Sequence, residues 1–287
     1  MKKYLLLFLC ITLWLGVLVG LRGFAATEAS VPAGSVRVRT ENGILELELE
    51  EYVAALLSAA MPDNYPEEAL RAQAVILRTR TCRTLESGVP HEDGCFCAGC
   101  EYCFSFTTTV TAASHNAARA TAGEVLRYNG ALIDARFHLS SCEYTASAYE
   151  LTGEDIPYLV SVDTPDESGF SAFVNTATIP LDQLAAAFPD RTLSFEANDL
   201  YLSYYDSGRI KNVFFGDTAV AGGALATAFA LKSQRFDAAI RALVITTYGY
   251  GDGLGLSQYG AYLLAQSGQT YKDILLHYYR SVEISEI

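Results

Sequence analysis

Apolar and polar side chains alternate along residues 36–50: Val36 and Val38 with Arg37 and Arg39, then Leu45, Leu47 and Leu49 with Glu46, Glu48 and Glu50. A period of two on both sides of Asn42-Gly43, where positive φ is tolerated, predicts a β-hairpin. The period then changes. Val53, Leu56, Leu57 and Ala60 recur at helical spacing, predicting a helix over 52–60 that stops at Met61-Pro62. A second helix starts after Pro66, where Glu67 and Glu68 complement its dipole, and continues through Arg80. An alanine-rich helix is predicted over 112–121, followed by a second hairpin with arms 124–128 and 132–138 about Asn129-Gly130. Residues 157–162 read as a strand or extended segment and 180–188 as a helix. Aromatic-rich residues 202–215 turn at Asp206-Ser207-Gly208, and 243–248 form a short strand before a glycine-rich loop. Two helices, 257–267 and 271–279, close the chain. Strand runs and helix runs without regular βαβ alternation predict an α+β fold of mixed helices and antiparallel strands.

Ahead of the hairpin the pattern is of another kind. Lys2 and Lys3 precede residues 4–21, which carry no charge before Arg22, and small residues follow at Gly23-Phe24-Ala25. This is the layout of an export signal or an N-terminal transmembrane anchor over residues 1–26, with 27–34 as a linker and 35–287 as an extracytoplasmic domain held at the cell membrane, or secreted if the signal is cleaved. With 51% hydrophobic and 18% charged residues among 287, the domain can bury a substantial core. A net charge of -13 excludes nucleic acid as a partner, because binding a polyphosphate requires a cationic surface. It also leaves membrane attachment to the apolar N-terminal helix.

Of seven cysteines, Cys10 lies in the apolar segment, and Cys95, Cys97, Cys100 and Cys103 are crowded into an aperiodic stretch over about 88–106. Thiolates two and three residues apart can converge on one tetrahedral metal ion. Disulfides compete outside the cytoplasm, and Cys82 with Cys142 could form one.

Two segments carry a family resemblance. Glu51-Tyr52-Val53, Met61-Pro62, Glu68-Ala69-Leu70-Arg71-Ala72-Gln73-Ala74-Val75 and Arg78-Thr79 resemble the opening motif of the stage II sporulation protein D and amidase enhancer family. Residues 249–261, Gly-Tyr-Gly-Asp-Gly-Leu-Gly-Leu-Ser-Gln-Tyr-Gly-Ala, resemble its closing motif. Phe137-His138-Leu139-Ser140-Ser141, Asp155-Ile156-Pro157-Tyr158-Leu159, Gly208-Arg209, Leu231-Lys232-Ser233 and His277-Tyr278-Tyr279 follow in the family's order. The resemblance implies a central groove and a lytic transglycosylase scaffold acting during engulfment on peptidoglycan glycan strands already denuded by a cell-wall amidase. It also implies partnership with that amidase and with other engulfment proteins. A structural zinc ion in the cysteine insertion is implied too, held by Cys97 and Cys103 with Cys95, Cys100 or His91.

Such chemistry needs a carboxylic acid that protonates the leaving oxygen and then accepts the proton of the attacking hydroxyl. The resemblance puts that glutamate immediately before Met-Pro, where this chain has Ala60. The family's Gly-His-Gly loop reads Gly251-Asp252-Gly253, an expected arginine corresponds to Ala226, and the Ser-Gly-Gly after the histidine strand is Ser141-Cys142-Glu143. Cleavage is therefore expected to be weakened or lost, which leaves open whether the chain is an enzyme. The alternative is an active enzyme using another carboxylate, Asp252 or Asp63. Turn formation accounts for each of these, and dipole capping accounts for Glu67 and Glu68. Gln73, Arg78, His138, Ser140, Ser141, Tyr158, Ser257, Gln258 and Tyr259 are the positions expected to bind sugar; core packing is the competing role, above all for His138.

Overall fold

The hairpin forms where its period predicts. In the computed structural model, which describes residues 34–89, 91, 94–97, 100, 103–196, 199–240 and 242–287, β1 (Ser35–Thr40) pairs antiparallel with β2 (Gly43–Glu48), placing Val38 opposite Leu45. Val36 and Val38 are buried, whereas β2 is an edge whose Ile44 and Leu45 stay exposed. Helix α1 (Leu49–Ala60) begins three residues earlier than the spacing predicts. Leu49 belongs both to the alternating run and to the buried helical face, so the period alone misplaces the first turn.

Pro66 opens α2 (Glu67–Ser87), with Arg71 paired to Glu67 and Glu68 in its first turns. Its middle is buried on all sides, carrying Gln73, Arg78, Thr79 and Thr81 into the interior along with Val75, Ile76 and Leu77. The short β3 (Phe96–Cys97) adds to β1 in parallel, and α3 (Ala112–Ala120) packs on α1 and α2. The second predicted hairpin is only partly made. β4 (Glu124–Tyr128) turns at Asn129-Gly130 into β5 (Ala131–Leu132), and then the chain leaves. Phe137 and His138 form β6, which joins a different partner.

After α4 (Ala148–Thr152), residues 157–162 run without a ladder. Contact is made instead through Ala148 N donating to Leu159 O and a bridge between Tyr144 and Asp163. Residues 174–248 build a separate cluster: β7 (Val174–Ile179), α5 (Leu181–Ala187), a meander of β8 (Leu200–Tyr204), β9 (Ile210–Phe215) and β10 (Thr218–Ala221), then α6 (Gly222–Ala228), β11 (Phe236–Ile240) and β12 (Leu243–Tyr248). The chain closes with β13 (Leu256–Ser257), α7 (Gln258–Gln266), α8 (Tyr271–Tyr278) and β14 (Glu283–Glu286), the last pairing with β4. The architecture is α+β with antiparallel sheets predominating. α2 lies between α1 and α3 on one side and α7 and α8 on the other.

All these elements fall in one compact unit, Val31–Ile287. The apolar run over residues 4–21 and Cys10 lie outside the described residues. Among the described residues, no helix is long and apolar enough to cross a membrane.

Candidate functional site

The glycine-rich loop between β12 and β13 is the centre of the site. At Gly253 φ is +84°, and a Cβ there would fall 2.0 Å from Arg209 Nη2; at Gly255 φ is +66°, and a Cβ would meet the carbonyl of Arg136 at 1.9 Å. Only glycine permits both that backbone and that approach. Hydrogen bonds stitch the loop down: Tyr250 and Ser140 exchange two backbone bonds, Gly251 N donates to Lys232 O at 2.8 Å, and Ala146 N donates to Gly253 O at 2.8 Å. β6 runs parallel to β13 beside it, with His138 opposite Ser257.

Two cavities open along this loop and share Tyr250, Gly251 and Asp252, which makes them one groove. The smaller, about 300 Å³, is lined by Phe137, His138, Leu139 and Gln258. The larger, about 700 Å³, is lined by Arg136, Ala226, Lys232 and neighbouring residues. At the small end Gln258 Nε2 donates to Ala60 O at 3.2 Å, so the last residue of α1 abuts the groove. Beside α7 the half-buried rings of Phe170, Tyr259, Tyr262 and Tyr65 form a chain of contacts with centroids 5.0 to 5.5 Å apart.

The predicted positions divide into three groups. His138, Gln258 and Asp252 line the groove. His138 is 5% exposed, its Nδ1 lies 3.1 Å from Leu254 O, its Nε2 has no partner, and burial lowers its pKa to about 4, so the ring is neutral near pH 7. Asp252 is engaged, with Arg136 Nη2 at 2.7 Å and Leu254 N donating to it at 3.0 Å. Asp63 is an exposed residue of the turn in which Tyr65 N donates to Pro62 O.

Ser140, Ser141, Ser257 and Tyr259 form the wall behind. Ser257 caps α7 by accepting from Gly260 N, and Tyr259 stacks on Phe170 and Tyr262.

Gln73, Arg78 and Tyr158 serve elsewhere. Arg78 is fully buried, binding Glu50 and donating to Ala118 O and Glu124 O, which ties α1, α2, α3 and β4 together. Gln73 is fully buried in α2 with neither amide atom partnered, and the Tyr158 hydroxyl accepts from Asp134 N. None of these three lines the groove cavities.

Sequence reasoning missed Glu167. It is 2% exposed; its Oε2 accepts from Ser141 N at 2.8 Å and Ser257 Oγ at 2.7 Å, while Oε1 has no partner. Burial pushes its carboxyl up to about 7, against the opposing pull of the Ser257 and Ser141 bonds. It therefore joins two of the predicted serines, 26 and 90 residues away.

Part of the cysteine stretch converges. The donor atoms of His91, Cys97, Cys100 and Cys103 all lie within 4.8 Å of one another, with His91 Nε2 at 3.6 Å from Cys100 Sγ and 3.4 Å from Cys103 Sγ. A tetrahedral zinc ion spaces a nitrogen and a sulfur ligand by about 3.5 Å, so three thiols and one imidazole at these separations match its ligand shell. β3 fixes Cys97 by pairing with β1. Buried Cys95 is not in this group, and Cys82 and Cys142 are free thiols with no disulfide between them.

The family model for stage II sporulation protein matches residues 38–128, which include α1, α2 and the cysteine stretch. Stage II sporulation protein D of Bacillus subtilis (strain 168) is 27% identical to this chain over 93% of it and 82% of the relative. The Bacillus amyloliquefaciens protein of the same name is 26% identical over 92% of this chain and 82% of its own length. The chain is similar to the stage II sporulation protein D family. A longer B. subtilis relative, an amidase enhancer, is 26% identical, with 76% of this chain aligned to 38% of that protein. The similarity to the stage II sporulation proteins D spans nearly all of the chain, whereas the family model stops at β4, ahead of the glycine loop and Glu167.

Proposed function

We propose that this protein acts on the cell wall in sporulation, holding peptidoglycan glycan strands in the groove along the glycine loop, with glycan cleavage weakened or lost. The observation that carries the reading is the end of α1. Ala60 abuts the groove through its bond from Gln258, and its methyl group can donate no proton. Loss of a general acid removes on the order of 10² to 10⁴ in rate. The groove's size, its amide and hydroxyl groups and the adjoining aromatic chain suit a neutral sugar, whose rings present apolar faces and polar edges. The names of the relatives support an association with sporulation and with an amidase. In this reading the apolar N-terminal segment places the domain outside the cytoplasm, and a structural zinc ion held by His91, Cys97, Cys100 and Cys103 braces the loop beside α1.

A second reading keeps the enzyme active through another carboxyl group. Glu167 suits it better than Asp252, which is paired with Arg136, or Asp63, which sits in an exposed turn, because a buried carboxyl pushed up to about 7 is protonated in half of the molecules at neutral pH. Its burial requires the groove wall to open first.

The two readings separate when the full-length protein, its Ala60→Glu variant and its Glu167→Gln variant are incubated with amidase-treated peptidoglycan and the products analysed by mass spectrometry. Anhydromuramic products from Ala60→Glu alone are expected. Product from the unmodified protein that disappears in Glu167→Gln would establish the second reading instead.

A further inference from the structure

The groove along the glycine loop changes width. Its smaller cavity, about 300 Å³, is lined by the buried His138, whose Nε2 has no partner; the larger, about 700 Å³, has more than twice that volume. A linear chain of sugars keeps one cross-section along its length, so a groove that widens in this way has room beside such a chain for a branch. The extra space lies along α6 and the turn after it. There Gly223, Ala226, Thr227 and Ala230 line the larger cavity with no side chain longer than that of threonine. This wall is fixed in place. At Gly222 a Cβ would fall 2.2 Å from Ile210 O, so only glycine lets α6 lie this close to β9, and Gln234 Nε2 donates to the same carbonyl at 2.8 Å. Leu151 and Leu254 add apolar surface to the cavity, and Lys232 adds a cation. The Lys232 side chain is exposed, with Nζ 5.2 Å from the centroid of the Tyr250 ring and no carboxylate within ion-pair distance among the described residues.

A roomy wall of small residues, flanking apolar surface and an ammonium without a carboxylate partner suit a short acidic peptide. In peptidoglycan the branch of that description is the stem peptide, joined in amide linkage to the lactyl ether of muramic acid and carrying free carboxylates of its own. We propose that the larger cavity receives the stem peptide, so that strands still bearing their peptides bind in the groove more tightly than bare strands. The protein then engages the strand before the hydrolysis that removes the peptide, the reverse of the order implied by the family resemblance. The proposal rests on the glycan-binding reading above and adds to it the part of the strand that the wider half of the groove takes up.

Calorimetry with the full-length protein tests it, using three probes: a glucosamine–muramic acid tetrasaccharide carrying tripeptide stems, the same tetrasaccharide with free lactyl acids, and chitotetraose. Burial of the peptide together with one charge-assisted contact predicts that the peptide-bearing strand binds about tenfold tighter than the bare one, with part of the advantage lost at high salt. Filling the cavity from α6 is expected to reduce that ratio in order of side-chain size, partly in Ala226→Gln and to about one in Ala226→Trp, whereas Ala226→Ser should keep it. Melting temperatures of the three variants show whether each is folded, and the ratio in the unmodified protein decides the matter without them. Equal binding of the two tetrasaccharides by the unmodified protein, or tighter binding of the bare one, overturns this inference alone, as does an undiminished preference in folded Ala226→Trp. Failure to bind any of the three probes overturns the glycan-binding reading and this inference with it.

Discussion

Glu167 ties chemistry to stability through a single carboxyl group. Its pKa is raised from 4.5 to about 7 by burial, so between those values the folded state holds a proton that the unfolded state has released. Stability therefore falls as pH rises through that window and levels off above it, by on the order of 3 kcal/mol in total. Urea unfolding between pH 4.5 and 8 should show this decline. Glu167→Gln, a neutral isostere able to accept the same two bonds, should abolish most of it. Glu167→Ala should destabilise at every pH by about 1–3 kcal/mol, because Ser141 N and Ser257 Oγ lose their shared acceptor in the interior. A flat profile in the unmodified protein would show that the carboxyl does not titrate in this way.

Among the elements, the glycine loop and the cysteine stretch are the two irregular segments that shape the groove and brace the adjoining core. The loop's glycines are dictated by contact as well as by φ. Gly255→Ala would force a Cβ into the Arg136 carbonyl at a positive φ, and is expected to cost about 2–4 kcal/mol by chemical denaturation. A cost below about 0.5 kcal/mol would mean that β6 and β13 part easily. Among its described residues the cysteine stretch has little regular structure beyond β3, so its order is expected to depend on metal. Protein purified under reducing conditions should carry about one zinc ion per chain, and a strong chelator should lower the melting temperature by roughly 5 °C or more. Metal-free protein with the same melting temperature would remove zinc from the account. Cys97→Ser should reproduce the chelator's effect.

At the scale of the whole molecule, α2 organises everything else. It holds α1 and α3 on one side and α7 and α8 on the other, and the Arg78–Glu50 pair joins its middle to α1. Beside the groove, Gln258 of α7 touches the last residue of α1 across nearly two hundred residues. The Ala60→Glu experiment belongs to this scale. It asks whether a scaffold assembled from such distant parts still presents position 60 in a geometry that supports catalysis.

Local periodicity determined the hairpin at Asn42-Gly43, the helix after Pro66, the two closing helices and the strand before the glycine loop, because each is fixed by spacing, caps and turn residues within a few positions. What the local pattern could not contain was the choice of partner. The second hairpin splits because β6 pairs with β13, residues 157–162 find no strand to join, and Arg78, expected at the groove, is drawn into the core by Glu50. Glu167 was invisible for the same reason. In sequence it is an acidic residue in a polar loop; only the packing of Ser141 and Ser257 around it removes the water, and only that desolvation turns an ordinary carboxylate into a group that titrates near neutrality.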